Sequence, residues 1–334
     1  MYKTAECVTP KHPDKMCDQI SDAILDAYLK LDPNARVAVE TMGGHGKVYL
    51  TGEVTSDKLI TVYELNDIVN RITMKSAKLF DVNISLQSPE IANGVDTGGA
   101  GDQGIMIGYA CNDNEEMVPQ EYYLARSLAK HLYKSFPYDG KTQVTLNEKG
   151  EVDTIVASFQ NVPEMILRQS IHQWVMKVLP DNQKITVYAN PAGDWDQGGF
   201  DADAGVTGRK LAVDNYGPSI NIGGGAFSGK DATKVDRSGA YMARYIAVDL
   251  LKKNNAKEVK TSLAYAIGVA EPVMVTAAIT TGDEGTSNTR FMDVTKLYDL
   301  TPQGIAKTLE LHKPQYEESA QWGHFGNGFT WDKE

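Results

Sequence analysis

The amino-acid sequence predicts an α+β fold of three similar subdomains, each a mixed β-sheet with helices, related by a pseudo-threefold internal repeat. One order of patterns recurs along the chain: a stretch with helical spacing of apolar residues, then two strand-like runs. The long helical stretches begin at Asp14, Glu121 and Arg237, a little over 100 residues apart, which indicates repeated structural units. The predicted subdomains are residues 1–95, 99–197 and 198–334.

Composition narrows the class of protein. The chain has 334 residues, of which 42% are hydrophobic and 23% are charged, as in ordinary globular proteins. No apolar run approaches the roughly 18 residues of a membrane span, and the first residues lack the apolar core of a signal peptide. The three cysteines have no CxxC spacing, so a reducing cytoplasm fits best. A formal net charge of −11 disfavours binding to nucleic acid or to an anionic membrane.

The first unit opens with a helix, because apolar residues recur every three or four positions from Asp14 to Leu31 and Asp32-Pro33 ends the pattern. The glycine-rich turn Gly43–Gly46 then separates two runs with strand-like alternation. The elements predicted after the first helix are strands Ala35–Thr41 and Lys47–Val54, a helix Lys58–Leu79 and a strand Asn83–Gln87.

The other two units repeat this order, with a hairpin around Lys149-Gly150 in the second. The second unit is predicted as a helix Glu121–Lys134, strands Thr142–Asn147 and Val152–Gln160, a helix Val162–Val178 and a strand Ile185–Ala189. The third is predicted as a helix Arg237–Lys253, strands Glu258–Ile267 and Pro272–Thr280, and a helix Thr301–Leu311.

Two glycine-rich stretches, Asn93–Gly108 and Asn190–Asp236, separate the units and carry charged residues, so they are candidates for function as well as linkers. Within the second, Gly224–Asp231 has the GxxxxGK spacing of a phosphate-binding loop, but Asp231 stands where a hydroxyl would hold magnesium. Glycines let backbone N–H groups approach an anion, and Lys230 adds positive charge. A P-loop ATPase or kinase is therefore an alternative that this residue disfavours.

Cations and carboxylates alternate on both sides of that loop. Thr207–Lys210 supplies two cations, and further charges come from Asp201, Asp203, Asp214, Lys234, Asp236 and Arg237. In so acidic a chain, this mixture predicts a polyphosphate site with a divalent metal, because Mg²⁺ prefers carboxylate and phosphate oxygens. A salt-bridged surface loop is the alternative.

His12-Pro13-Asp14-Lys15 stands at the start of the first helix, where the helix N-terminus attracts anions. We expect His12 and Lys15 to contact phosphate and Asp14 to contact a metal. Capping of the helix by Asp14 alone is the alternative interpretation.

Gly99–Gly104 presents one carboxylate, Asp102, in a tight glycine turn before the apolar run Ile105–Ala110. Such a turn is either a β-turn or a clamp on a substrate, and composition leaves both open.

In their order along the chain, these segments resemble the S-adenosylmethionine synthetase (methionine adenosyltransferase) family. The resemblance covers nearly the whole chain, from Thr4 to about Trp331. The glycine-rich hexapeptide and Gly224–Asp231 are close to diagnostic of that family. The other segments that carry it are His12–Lys15, Asp18–Ala23, Thr207–Lys210, Gly223–Arg237, Tyr265–Pro272 and Gly323–Gly326.

The resemblance implies formation of S-adenosyl-L-methionine from ATP and L-methionine, with cleavage of the tripolyphosphate to phosphate and pyrophosphate. It also implies two Mg²⁺ ions per site, K⁺, and a homodimer or homotetramer with shared active sites. A catalytically impaired, nucleotide-binding regulatory homologue is the alternative within the family.

The resemblance also assigns site residues. The implied catalytic residues are His12, Lys141, Arg209 and Lys230. The implied ATP-binding residues are His12, Asp139, Gly140, Lys141, Trp195, Asp203, Arg209, Lys210, Ala226 and Lys230. The implied methionine-binding residues are Glu53, Gln87, Asp102, Asp203, Lys234 and Ile267, and the implied metal ligands are Asp14 and Asp236 for Mg²⁺ and Glu40 for K⁺.

Three features depart from the family pattern. Lys11 replaces a glycine and puts a side chain beside the expected phosphate entrance. Asp194 replaces a basic residue, which weakens one expected ATP contact. The segment Asp96–Gly99, part of the expected closing loop, is several residues shorter than usual.

Overall fold

The computed structural model describes residues 1–87, 98–180, 184–282 and 286–333. It has three four-stranded sheets combined with helices, which confirms the predicted α+β class. Within these ranges, no helix is both long enough and apolar enough to cross a membrane.

The strands are β1 Lys3–Val8, β2 Arg36–Gly44, β3 Lys47–Thr55, β4 Lys78–Ser85, β5 Gly104–Cys111, β6 Gly140–Leu146, β7 Val152–Phe159, β8 Thr186–Ala189, β9 Gly205–Val206, β10 Glu258–Tyr265, β11 Met274–Thr281 and β12 Asn288–Met292. The helices are α1 Pro13–Leu31, α2 Val62–Ile72, α3 Gln120–Ser135, α4 Glu164–Val178, α5 Leu211–Asp214, α6 Val235–Lys253, α7 Pro302–Thr308 and α8 Tyr316–Ser319.

Each sheet is built on an antiparallel hairpin that follows one of the long helices: β2–β3 after α1, β6–β7 after α3, and β10–β11 after α6. On one side of the hairpin, a strand from another part of the chain adds antiparallel: β9, β1 and β5 respectively. On the other side, β4 and β8 add parallel after a return helix, whereas β12 follows β11 directly and is antiparallel. Each unit therefore contributes one strand to the sheet of another unit. The subdomain boundaries at residues 1–95, 99–197 and 198–334 stay predictions.

One predicted helix was too long. Thr61 and Glu64 form a capping box that starts α2, but the helix ends at Ile72, because Met74 and Lys75 adopt positive φ angles of 53° and 65°. The following residues turn into β4, which the sequence had placed partly inside the helix. The strands β1, β9 and β12 were not predicted from the sequence.

The helix α1 lies in the main hydrophobic core and is buried almost all round. Sixteen of its 19 residues are buried, including the charged side chains Asp14, Lys15, Asp18, Asp22 and Asp26. A charge that leaves water needs a partner of opposite charge and hydrogen bonds. The contacts of these five side chains therefore decide how the surrounding loops are placed.

The helix α6 also carries a buried charge, Arg244. Its Nε donates to the carboxylate of Asp332 at 2.8 Å, and both side chains are almost inaccessible to solvent. Its Nη1 donates to the carbonyls of Tyr109 and Met117 at 2.6 and 2.8 Å. Arg244 therefore joins α6 to β5 and to the end of the chain.

We expect Arg244→Met to lower the free energy of unfolding by about 3 kcal/mol or more, because it leaves the buried Asp332 carboxylate without its cation. The matched control is Arg168→Met, which removes a half-exposed ion pair with Glu164. That change should cost about 0.5 kcal/mol or less. Urea unfolding followed by circular dichroism measures both values. Equal losses for the two variants would contradict the structural role of Arg244.

Candidate active site

Four aspartates form a row along one face of α1, because residues four apart share a helix face. Asp14, Asp18, Asp22 and Asp26, here called the aspartate row, are each at most 7% exposed. Three of them accept hydrogen bonds from backbone N–H groups of the loop Asn190–Asp236. The bonds are Val206 to Asp14 at 3.0 Å, Gly208 to Asp18 at 2.8 Å, and Gly229 to Asp22 at 2.8 Å.

The fourth member of the row holds the C-terminal region instead. The carboxylate of Asp26 accepts hydrogen bonds from the backbone N–H groups of Gln315, Tyr316 and Glu317, at 2.9 to 3.0 Å. Burial raises the pKa of Asp26 to about 6, although these N–H groups and the Arg237 guanidinium act in the opposite direction.

Each of the first three aspartates also has a cation. Lys210 lies 2.6 Å from Asp14, Lys15 lies 2.9 Å from Asp18, and Arg237 lies 2.6 Å from Asp22. Lys15 is fully buried and also contacts Asp214 at 2.5 Å, so its ammonium group does not face solvent. Burial alone would lower its pKa, but the two carboxylates raise it overall. The interpretation of Lys15 as a phosphate contact is therefore wrong.

The same loop segments also cover the free edge of β2. Thr207 N–H donates to the Thr41 carbonyl at 3.0 Å, and Asp231 N–H donates to the Val37 carbonyl at 3.0 Å. Val39 N–H donates to the Gly229 carbonyl at 3.1 Å. Segments 205–207 and 229–231 are therefore fixed by α1 on one side and by a strand edge on the other. They are not flexible linkers.

A first cluster of functional side chains lies at the N-terminus of α1. His12 is the N-cap residue, and its Nδ1 accepts a hydrogen bond from Asp14 N–H at 3.2 Å. A neutral ring in this arrangement carries its proton on Nε2. Burial, followed by the positive charge of Lys210, lowers the pKa of His12 to about 4, so the ring is neutral near pH 7.

Asp14 is the centre of this cluster. Its carboxylate receives Lys210 at 2.6 Å, the Val206 N–H at 3.0 Å and Arg209 Nε at 3.5 Å. Burial raises its pKa, but Lys210 and the Val206 N–H outweigh burial and keep the pKa below its usual value. Arg209 is half exposed, so its guanidinium is accessible to an anion.

Lys141 and Asp203 lie close enough to shift the pKa of His12, which places both beside the first cluster. Lys141 also pairs with Glu6 at 3.2 Å. Asp139 is buried and accepts a hydrogen bond from Gly199 N–H at 2.9 Å, and burial raises its pKa to about 6. The structure therefore brings β6 and the loop Asn190–Asp236 to the start of α1.

A second cluster surrounds the start of α6. Lys230 Nζ lies 2.7 Å from Asp236, and Lys234 Nζ lies 2.5 Å from Asp231. A Cβ added at Gly225 would lie 2.3 Å from Asp236 Oδ1, so glycine is required where this loop passes the carboxylate. Among the described residues, no ion pair joins this cluster to the first.

The two clusters nevertheless lie on neighbouring loops. A Cβ added at Gly208 would lie 2.6 Å from the Cβ of Ala226, so the backbone beside Arg209 passes directly against Ala226. Gly208 has a φ of +78°, which also favours glycine.

Asp14 and Asp236 have the chemistry to bind Mg²⁺ together with a substrate. Among the described residues, no three acidic, histidine or cysteine side chains form a ready metal cage. Mg²⁺ usually needs only one or two carboxylates when substrate phosphates supply further ligands. Both carboxylates are held by lysines and retain free lone pairs, so they fit that role. Glu40 is a single exposed carboxylate on β2, and its role as a K⁺ ligand stays a prediction.

Four of the residues expected to bind methionine are exposed or half-buried in a single copy of the chain. Glu53 and Asp102 are exposed, and Ile267 is 56% exposed beside Ala100. Gln87 Oε1 is buried and has no hydrogen-bond partner among the described residues. Of the shortened segment Asp96–Gly99, Asp96 and Thr97 lie outside the described residues.

Trp195, expected beside adenine, is half-buried and lines a cavity of about 390 Å³ together with Asn161, Val162 and Pro163. Its backbone carbonyl accepts a hydrogen bond from Asn161 N–H at 2.8 Å, which fixes the main chain at Trp195 beside this cavity.

Two departures from the family pattern have structural roles at helix ends. The Lys11 ammonium donates to the Ile72 carbonyl at 2.8 Å, at the C-terminus of α2. The Asp194 carboxylate accepts from Glu164 N–H at 2.8 Å, at the N-terminus of α4. A cation at a helix C-terminus and an anion at an N-terminus both stabilise the helix. Lys11 and Asp194 therefore each stabilise one end of a neighbouring helix.

Reasoning from the sequence missed the roles of Asp18, Asp22 and Asp26. It also counted Arg237 among the cations of the predicted polyphosphate site, whereas the guanidinium is fully buried against Asp22. The regular four-residue spacing of the aspartates was visible, but such a row usually marks a solvated helix face. The signal was that apolar residues surround the row on every side of the helix.

Comparison with known proteins identifies the family. Three family models match the chain: S-adenosylmethionine synthetase, N-terminal domain, over residues 1–94, central domain over 97–195, and C-terminal domain over 197–333. An S-adenosylmethionine synthase of Clostridium tetani (strain Massachusetts / E88) is 41% identical over 366 aligned positions, covering 97% of this chain and 93% of that protein.

A solved structure described as an unusual S-adenosylmethionine synthetase from Campylobacter jejuni superposes with a TM-score of 0.87 at 32% identity. The alignment covers 99% of this chain and 96% of that one. The chain therefore belongs to the S-adenosylmethionine synthetase family and is a transferase, a methionine adenosyltransferase.

Proposed function

We propose that this chain forms S-adenosyl-L-methionine from ATP and L-methionine and then cleaves the tripolyphosphate to phosphate and pyrophosphate. The observation that carries the proposal is the cluster of His12, Asp14 and Lys210 at the N-terminus of α1. It combines a neutral N–H donor, a carboxylate and a cation at a helix end that favours anions.

The chemistry needs little more than position and charge. The methionine sulfur attacks C5′ of the ribose, the C5′–O bond breaks, and tripolyphosphate leaves with the electron pair. A thioether is nucleophilic without deprotonation, so no general base is required. The leaving group needs positive charge and hydrogen-bond donors held in place before the reaction.

Individual roles follow from the two clusters. The Nε2–H of His12 donates to the ribose–phosphate oxygen as the bond breaks. Arg209 and Lys210 bind the polyphosphate from the first cluster, and Lys230 binds it from the second. Lys141 extends the first cluster, and Lys234 reaches toward methionine. These cations now pair with carboxylates, so a polyphosphate would replace one anion by another.

Two Mg²⁺ ions would be held by Asp14 and Asp236 and would supply charge neutralisation on the polyphosphate when bound. K⁺ would be held by Glu40. The fit of the two aspartates is supported by their burial beside lysines and by the glycine required at Gly225.

Trp195 would stack on adenine, with Asp139, Gly140, Asp203 and Ala226 nearby on the nucleotide. A Cβ added at Gly140 would lie 2.8 Å from the Phe159 ring, so this backbone is tightly packed where it would face ATP.

The methionine pocket would need a second copy of the chain. Glu53, Asp102 and Ile267 are exposed in a single copy. In a homodimer or homotetramer with shared active sites, as the family implies, a second copy would enclose them. The carboxylates would bind the ammonium group of methionine, and Ile267 would contact its side chain.

We expect the purified protein to convert ATP and methionine into S-adenosylmethionine when Mg²⁺ and K⁺ are present. Mass spectrometry of the product, with orthophosphate and pyrophosphate measured in parallel, tests the reaction. Omission of methionine is the control. Tight ATP binding without any S-adenosylmethionine would instead identify a catalytically impaired regulatory homologue.

Asp14→Asn should raise the Mg²⁺ concentration needed for half-maximal activity by about 10-fold, because a carboxylate charge binds a hard cation better than an amide. The matched control is Asp57→Asn, on an exposed turn far along the sequence from either cluster. Magnesium titrations of initial rate at saturating ATP measure the effect. If the Asp14→Asn curve overlays that of the parent, Asp14 is not a magnesium ligand.

A further inference from the structure

The Asp22–Arg237 pair of the aspartate row lies directly behind Lys230. Both side chains are fully buried, and Arg237 Nη2 lies 2.6 Å from Asp22 Oδ2. The remaining groups of the pair bind the main chain on both sides of the Lys230 residue. Asp22 Oδ1 accepts the Gly229 N–H at 2.8 Å, and Arg237 Nη1 donates to the Lys230 carbonyl at 2.9 Å.

The strand β2 fixes the same peptides from the other direction. Gly229 accepts a hydrogen bond from Val39 N–H at 3.1 Å, and Lys230 forms a bridge with Ala38. Gly229 has a φ of +81°, and an added Cβ would lie 2.0 Å from the Val39 carbonyl oxygen. The main chain at Lys230 therefore has very little freedom, while its side chain extends toward Asp236 and is 23% exposed.

Arg237 also directly follows Asp236 in the first turn of α6. Arg237, whose guanidinium binds the Lys230 carbonyl, is therefore adjacent in sequence to Asp236, which pairs with the Lys230 ammonium group. One buried pair thus fixes Lys230 and Asp236, two members of the second cluster, relative to α1. The hydroxyl of Tyr241 accepts a hydrogen bond from Arg237 Nε at 3.1 Å and orients the guanidinium further.

We infer that Asp22 and Arg237 are positioning residues that hold Lys230 and Asp236 where these two side chains meet the bound polyphosphate. This inference rests on the proposed function. Neither side chain touches a substrate, because both are enclosed. A planar guanidinium can hold Asp22 and the Lys230 carbonyl at the same time, whereas an ammonium group cannot reproduce that fork.

The chain offers a matched pair of variants. Arg237 and Arg244 both lie on α6, both are fully buried and both pair with an aspartate, but Arg244 contacts neither cluster. Arg237→Lys and Arg244→Lys keep the charge and remove the fork. We expect Arg237→Lys to lower kcat for S-adenosylmethionine formation about 10-fold or more, since small displacements of a catalytic group have effects of this size.

The Michaelis constants for ATP and methionine should stay within about twofold of the parent, because the loss falls on the departing polyphosphate. Arg244→Lys should lower the melting temperature but leave kcat within about twofold. In a Lys230→Ala background, Arg237→Lys should lower kcat little further, because it acts through Lys230. Equal losses of kcat in Arg237→Lys and Arg244→Lys would overturn the inference. So would a double variant, Arg237→Lys with Lys230→Ala, whose fold loss in kcat equals the product of the two single losses.

If Arg237→Lys does not fold, Tyr241→Phe provides the same test with a smaller change. It removes the hydroxyl that orients Arg237 and that also lies 2.7 Å from His324 Nδ1. We expect it to lower kcat about threefold, with no added effect in the Lys230→Ala background. An unchanged kcat in Tyr241→Phe would then count against the inference.

A parent protein that forms no S-adenosylmethionine would end the proposed function but not this inference. Calorimetric binding of inorganic tripolyphosphate then decides it. Weaker binding by Arg237→Lys than by Arg244→Lys supports positioning of Lys230, and equal binding overturns it.

Discussion

The buried aspartate row of α1 is the constraint on which the rest of the site depends. Four carboxylates removed from water must each be satisfied by cations and hydrogen-bond donors. The backbone donors come from segments 205–208, 229 and 315–317, which are distant in sequence. Placing these N–H groups on one helix face fixes the three segments relative to one another.

The hydrogen bonds to the aspartate row and to β2 explain how segments of the glycine-rich loop Asn190–Asp236 are held in place before a ligand binds. Arg209, Lys210 and Lys230 lie next to peptides that α1 or β2 holds in place. Cations that are positioned before the polyphosphate arrives need little reorganisation during bond breaking, and preorganisation of this kind is a large part of electrostatic catalysis. A chain with a net charge of −11 can thus present a local basic site.

The sequence predicted what depends on local patterns. Apolar periodicity located α1 and the long helices, and glycine turns located the hairpins. Strand exchange was not predictable, because β1 pairs with β6 more than 130 residues away and no local pattern encodes that choice. The end of α2 was missed because apolar spacing continued to Leu79 beyond the backbone turn at Met74. Most site residues came from family resemblance, while Lys15 was misread as a phosphate contact and the buried Asp18, Asp22 and Asp26 were given no role.

On the proposed function, the aspartate row holds the segments next to Lys210 and Lys230 in the positions in which these lysines bind the polyphosphate. A crystal structure with a non-hydrolysable ATP analogue and Mg²⁺ tests it most directly. We expect the triphosphate oxygens to contact Lys210 and Lys230, from the same copy of the chain or from two copies. The hydrogen bonds from Gly208 N–H to Asp18 and from Gly229 N–H to Asp22 should remain intact. A triphosphate bound elsewhere, or loops that leave the row when the nucleotide binds, would contradict it.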